Sequence, residues 1–202
     1  MRILLHVEGD TEALCLPPFF SRWLVTKIQG PVDIRPVNFQ GVASYKRDFA
    51  KRARIDLRSS VVAGIIGVID FYQSGFASGE GTVADKCGRA KAELEEKVGL
   101  ANFYQHFAVH ETEAWLFSDP RIFPQPVQSR LPTTQLPETI NTNNPPSRRL
   151  AILYKDRLKG ADYKKTIDGA SLFSKLDPQV AYERCRHLKL LLDDMLKLAS
   201  VP

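Results

Sequence analysis

Val61-Val62-Ala63-Gly64-Ile65-Ile66-Gly67-Val68-Ile69-Asp70 is almost wholly apolar, rich in β-branched residues, and ends on an acid. β-Branched side chains favour extended backbone, and an apolar run without polar alternation suits a strand covered on both faces. Such strands belong to parallel sheets sandwiched between helices. Two other runs share this form. Residues 3–7 stop at Glu8-Gly9, and residues 103–109 stop at His110-Glu111. Residues 32–39 alternate instead and contain Pro36, which predicts a strand near an edge because proline cannot donate to a ladder.

Helical patterns separate these strands. Phe19, Phe20, Trp23, Leu24 and Ile28 recur at helical spacing, placing the first main helix at residues 18–29, beyond the interruption at Pro17-Pro18. Residues 44–59 predict a basic helix, residues 83–97 a polar helix after a glycine-rich loop, and residues 112–117 a helical turn. Residues 120–146 hold seven prolines (Pro120, Pro124, Pro126, Pro132, Pro137, Pro145 and Pro146). They predict a long, mostly irregular segment of the kind that forms lids or partner surfaces. Helices return at residues 147–158, with Ser147 as the N-cap, then at 171–175 and at 178–198. The alternation predicts an α/β fold: a mostly parallel central sheet flanked by helices, Rossmann-like in layout. A proline-rich insertion and a helical C-terminal part (147–202) complete one domain over residues 1–202.

Bulk properties narrow the function. The 202 residues are 44% hydrophobic and 25% charged, an ordinary globular balance. The opening residues lack the pattern of a secretory signal. No apolar stretch nears the roughly 20 residues that cross a bilayer, so no membrane partner is expected. Cys15, Cys87 and Cys185 are odd in number and far apart, which fits a reducing cytoplasm and argues against a cysteine zinc site. The formal charge of +5 suits a polyanion, although many soluble proteins carry such an excess without one. There is no GxxxxGK[ST] loop, so any ATPase is a separate polypeptide, and there is no GxSxG elbow.

Glu8, Asp70 and Glu111 or Glu113 each follow a predicted strand. In a parallel sheet these ends converge on one edge, where ligands bind. Several carboxylates there repel one another and are costly to desolvate. Mg²⁺ or Mn²⁺ would relieve that repulsion, since both prefer oxygen ligands, and would suit phosphodiester cleavage. Singly, a strand-end acid more often meets solvent or caps a helix; three in one small chain favour the metal. His6 shares a strand face with Glu8, and His110 adjoins Glu111, a set that zinc could also use. A strand histidine is more commonly a hydrogen-bonded core residue. Arg47, Lys51, Arg54 and Arg58 fall at i, i+4, i+7 and i+11 and form a stripe that could track phosphates. A solvated helix face explains that stripe equally well. Arg148, Arg149, Lys155, Arg157, Lys159, Lys164 and Lys165 form a second basic zone.

Val7-Glu8-Gly9-x-Thr11-Glu12 resembles the opening motif of TOPRIM domains, as in overcoming-lysogenization-defect nucleases, topoisomerases and primases. More narrowly, the chain resembles a bacterial TOPRIM-like family of predicted phage-defence components. The matching stretches are Val68-Ile69-Asp70-Phe71-Tyr72, His110-Glu111-Thr112-Glu113-Ala114, Leu116-Phe117-Ser118-Asp119, Pro137-Glu138-x-Ile140-Asn141, Pro146-Ser147-x-Arg149-Leu150, Tyr154-Lys155, and a C-terminal helix containing Cys185. The resemblance implies a metal-dependent nuclease acting on DNA or RNA in defence or repair, working with a separate ATPase. Glu8 and Asp70 would bind metal or position water, Glu111 or Glu113 would complete the shell, and Lys155 would meet the scissile phosphate. TOPRIM enzymes carry Asp-x-Asp at the second motif, whereas this chain has Tyr72 in the second place. That departure leaves open a catalytically weak adaptor for the ATPase.

Overall fold

A computed structural model describes residues 1–72, 74–76, 79–132, 136–140 and 145–200. Strand β1 (Arg2–Val7) leads through α1 (Asp10–Leu24), β2 (Asp33–Asn38), α2 (Val42–Asp56), β3 (Val62–Asp70) and α3 (Val83–Val98) to β4 (Phe103–Ala108). Two 3-10 turns follow, Thr112–Ser118 and Pro120–Ile122, then α4 (Gln125–Gln128) and a third 3-10 turn, Pro137–Thr139. The chain closes with α5 (Pro146–Arg157), a π-helical turn at Lys165–Gly169, α6 (Ala170–Lys175), α7 (Pro178–Arg184) and α8 (Arg186–Ala199). Among the described residues the sheet is four-stranded in the order β2-β1-β3-β4, and every neighbouring pair is parallel. The Pro36 strand stands at an edge, where a missing donor can face away from the ladder. No helix among the described residues is long and apolar enough to cross a membrane.

Both faces of the sheet are covered, which is why β3 reads as continuously apolar. Ile3, Leu5, Val7, Ile66 and Val68 pack with Leu16, Phe19 and Phe20 of α1 and with Leu188, Leu192 and Met195 of α8. On the other face Leu4, Ile65 and Ile69 meet Tyr45 and Phe49 of α2 and Leu94 of α3. The chain leaves β1 for β2 on one side and returns to β3 on the other. The strand order therefore reverses between β1 and β3, which opens a crevice at their carboxyl ends.

Three local expectations give way to tertiary structure. Helix α1 begins at Asp10 and runs through Pro17 and Pro18 instead of starting after them. An interior proline costs about 3 kcal/mol, but Leu16, Phe19, Phe20 and Trp23 are all buried on this helix, at about 1.5–3 kcal/mol each. Helix α5 has Pro145 at its N-cap rather than Ser147. Residues 178–198 form two helices, parted at the extended, fully buried Cys185. The cause is the Glu138 carboxylate, which accepts the α8 N–H groups of His187 (2.8 Å) and Leu188 (3.1 Å) and the indole N–H of Trp115 (3.2 Å). A buried carboxylate bonded to free N–H groups makes a new helix start there favourable.

The proline-rich segment is short helical turns tied down by Ile122, Phe123, Val127 and Ile140, all in the main core. Residues 133–135, and residues 141–144 with the motif residue Asn141, lie outside the described residues.

Gly64 sets how closely α8 approaches β3. A Cβ there would strike the Leu198 side chain and come within 2.8 Å of the Asn102 carbonyl oxygen. Gly64→Ala is expected to cost about 1–3 kcal/mol, as overpacking does. The check is the urea midpoint at constant m-value.

Candidate functional site

The crevice at the sheet reversal is a cleft of about 440 Å³ lined by Glu8, Asp70, Tyr72, Glu111, Arg148 and Lys165, with Ser74, Val42 and Pro145. Each acid arrives by a different route. Glu8 is the first residue past β1, and its backbone oxygen accepts the Gly41 N–H at 2.7 Å just before α2. Asp70 ends β3, and its Oδ1 accepts the Thr112 N–H at 3.1 Å. Glu111 stands three residues past the end of β4. Its carboxylate accepts the backbone N–H of Ser147 (2.7 Å) and the Ser147 hydroxyl (2.9 Å). Ser147 thus supplies donors to Glu111, a role different from the cap the sequence suggests.

Lys165 is the cation at the centre of this group. Its Nζ lies 3.3 Å from Glu111 Oε1 and 3.2 Å from Glu113 Oε1. The π-helical turn that presents it is tied off by the Asp168 carboxylate, which accepts the Lys164 N–H at 2.7 Å. π-Turns are rare and often mark functional positions. Burial opposes the ammonium charge, but Glu113, Glu111 and Asp70 together hold the lysine's pKa above its ordinary value.

Behind Lys165, Glu113 is 1% exposed, and neither of its carboxylate oxygens has an aligned hydrogen bond. The Lys165 ammonium faces it as an ion pair at 3.2 Å. Glu12, on α1, is also buried, and its Oε1 accepts the Thr112 hydroxyl at 3.4 Å. Crowding shows in the titration of these acids. Burial, then the Glu12 and Glu113 charges, pushes Asp70 well above the ordinary carboxylate range. Burial, then Glu12, raises Glu8, while the Asp70 backbone N–H pulls the other way. Burial also raises Glu113, against the pull of Lys165.

The sequence expectations divide clearly. Glu8, Asp70 and Glu111 share the cleft, Glu113 stands behind it, and Arg148 is at its rim. Arg149 and Lys155 do not line the cleft, and Lys155 is exposed on α5. Of the two lysines, it is Lys165 that lines the cleft. The helical stripe is dispersed: Arg47 is held by Asp48 at 2.7 Å, and Arg54 donates to the Val98 carbonyl at 3.1 Å and to that of Lys97, closing the end of α3. Lys51 and Arg58 are exposed. His6 Nε2 lies 3.1 Å from Asp56 under α2, the core arrangement, and His110 faces a separate cavity beside Glu138 and His187. Glu12 and Lys165 were visible only as a motif residue and as one of several basic residues.

The donor set suits a hard divalent cation. It is all oxygen, and the buried Glu113 carboxylate is balanced by the Lys165 ammonium at 3.2 Å, which marks the site as one that favours positive charge. As placed, no three His, Cys, Asp or Glu among the described residues form a ready metal-holding group. No curated protein and no solved structure matches the chain. The chain belongs to the family described as a domain of unknown function, DUF4276, whose model spans residues 7–196 and takes in every side chain of the cleft.

Proposed function

We propose that this protein is a TOPRIM-like, Mg²⁺- or Mn²⁺-dependent nuclease that hydrolyses phosphodiester bonds of DNA or RNA, as a defence or repair component working with a separate ATPase. One observation carries the reading. Glu8, Asp70 and Glu111, from the ends of three parallel strands, meet in one cleft around Lys165, with Arg148 at the rim. Glu8, Asp70 and Glu111 would hold the cation, with Glu113 behind them. A bound Mg²⁺ or Mn²⁺ supplies Lewis-acid stabilisation and a more acidic water.

The chain's own groups have separable tasks. Lys165 stays charged and can stabilise negative charge developing on a phosphoryl oxygen. Arg148 presents a planar fork that matches two phosphate oxygens. Glu8, raised by burial and by Glu12, can hold or accept a proton closer to neutrality than an ordinary carboxylate. Tyr72, in the second acidic place, gives the cleft an aromatic wall.

A second reading, a catalytically weak adaptor for the ATPase, is favoured by the pairing of Lys165 with both Glu111 and Glu113. Calorimetry separates the two readings. Mn²⁺ binding that Asp70→Asn removes supports the enzyme, whereas no metal binding with tight ATPase binding supports the adaptor.

For the nuclease, the expected result is metal-dependent cleavage of a nucleic acid, alone or with the ATPase. Glu8→Ala and Asp70→Asn would each lower cleavage by at least about a hundredfold, as loss of a principal electrostatic group does. Full activity of both variants in a gel cleavage assay would contradict the assignment.

The raised Asp70 carboxyl also fixes a stability profile. A group whose folded pKa exceeds its unfolded value stabilises the fold fully below the unfolded value, and that stability is lost as pH rises through the folded value. Asp70→Asn removes this loss and leaves the Thr112 N–H an acceptor. The variant should be about 0.5–2 kcal/mol more stable than wild type at neutral pH without added metal. That advantage should vanish below about pH 4, where the unfolded acid is itself protonated. Paired chemical denaturation across pH cancels the opposite contribution of His6 and His106, both lowered by burial. A variant less stable at neutral pH would show that Asp70 is held by favourable pairing.

A further inference from the structure

Tyr72 and Ser74 line the acidic cleft, and the next described residues of that loop, Gly75 and Phe76, line a second groove of about 440 Å³ between α2 and α3. Adjacent residues of one loop, Ser74 and Gly75, thus line one depression each. The second is basic, with Lys46 from α2 and Lys86, Arg89 and Lys97 from α3, against a single acid, Glu93. Among the described residues, none of these four cations is ion-paired with a carboxylate, whereas Arg47 and Arg52 on α2 are paired with Asp48 and Asp56. Lys46 is held in place: its Nζ sits 4.2 Å above the Phe76 ring, and a Cβ on Gly75 would come within 2.8 Å of it. Tyr72, on the cleft wall two residues before Ser74, is 40% exposed.

Resting on the nuclease reading, we infer that the α2/α3 groove carries the substrate strand to the cleft, and that the strand is single-stranded nucleic acid. Unpaired cations lining a groove concentrate their field on a phosphate chain and track it without reading its sequence. An exposed aromatic beside such a track stacks an unpaired base, which a duplex keeps inside its own stack. The shared loop turns the strand from the groove over Tyr72 into the acids. This places the track on Lys46 and α3, away from the outward stripe of α2.

The test is fluorescence-anisotropy binding in EDTA, so that it does not depend on cleavage. The probes are short thymidine DNA, short uridine RNA and a mixed-sequence duplex, each titrated across salt. Wild type should bind single strands more tightly than duplex, and the DNA and RNA arms report which sugar is preferred. K46E/K86E should weaken single-strand binding at least about tenfold and flatten the salt slope by about 1.4, from two lost phosphate contacts at about 0.7 each. Y72A should weaken it about fivefold or more while keeping the salt slope. Lys46 and Lys86 lie on helix surfaces, so the fold should survive. K46Q/K86Q, with unchanged circular dichroism and melting, should shift both quantities in the same direction. Unchanged affinity and slope in both double variants overturns the groove, as does tighter binding of duplex or no binding by wild type. Groove-dependent binding without Mn²⁺-dependent cleavage keeps the track and removes the nuclease. Cleavage by wild type and K46E/K86E alike keeps the nuclease and removes the track.

Discussion

Repulsion among carboxylates at one end of the sheet is the constraint around which this molecule is arranged. Glu8, Asp70 and Glu111 arrive there because three parallel strands end together, and Glu12 and Glu113 are buried beside them. Such a group cannot stay charged and dry without compensation. Lys165 provides it, from a π-helical turn 54 residues beyond Glu111 in sequence. Glu111 in turn accepts both donors of Ser147 at the start of α5. The same carboxylate therefore ties the sheet edge to the C-terminal helices, and losing Glu111 would loosen that attachment.

The parallel sheet and its acid-terminated strands were legible because the signal is local. β3 is apolar on both faces, Pro36 marks an edge, β1 ends just before Glu8, β3 ends on Asp70, and β4 ends three residues before Glu111. What could not be read depends on distant partners. The break at Cys185 is set by Glu138, 47 residues earlier, whose oxygens take the first α8 N–H groups. The passage of α1 through Pro17 and Pro18 is decided by the aromatic core that α1 completes with Phe173 and Trp115. Lys155 and Lys165 have similar sequence surroundings. Only the π-turn and the ion pairs distinguish them, and neither leaves a motif.

Tyr72 makes sense within the same charge balance. An aspartate there would add another carboxylate to the cleft wall, facing a group that one lysine already struggles to balance. Burial and like charge hold Asp70, Glu8 and Glu113 above ordinary carboxylates even with tyrosine present. The turn after β4 already brings Glu111 and Glu113 to the site, so the end of β3 adds one acid, Asp70, to the cleft. The loop after β3 is thereby free to present an aromatic ring and, through Gly75 and Phe76, to seat Lys46. An acid at position 72 would set a further negative charge on the cleft wall, where it would repel a phosphate chain. With tyrosine there, the cleft keeps its acids at the strand ends, the α2/α3 groove keeps its cations, and an uncharged ring stands on the loop that lines both.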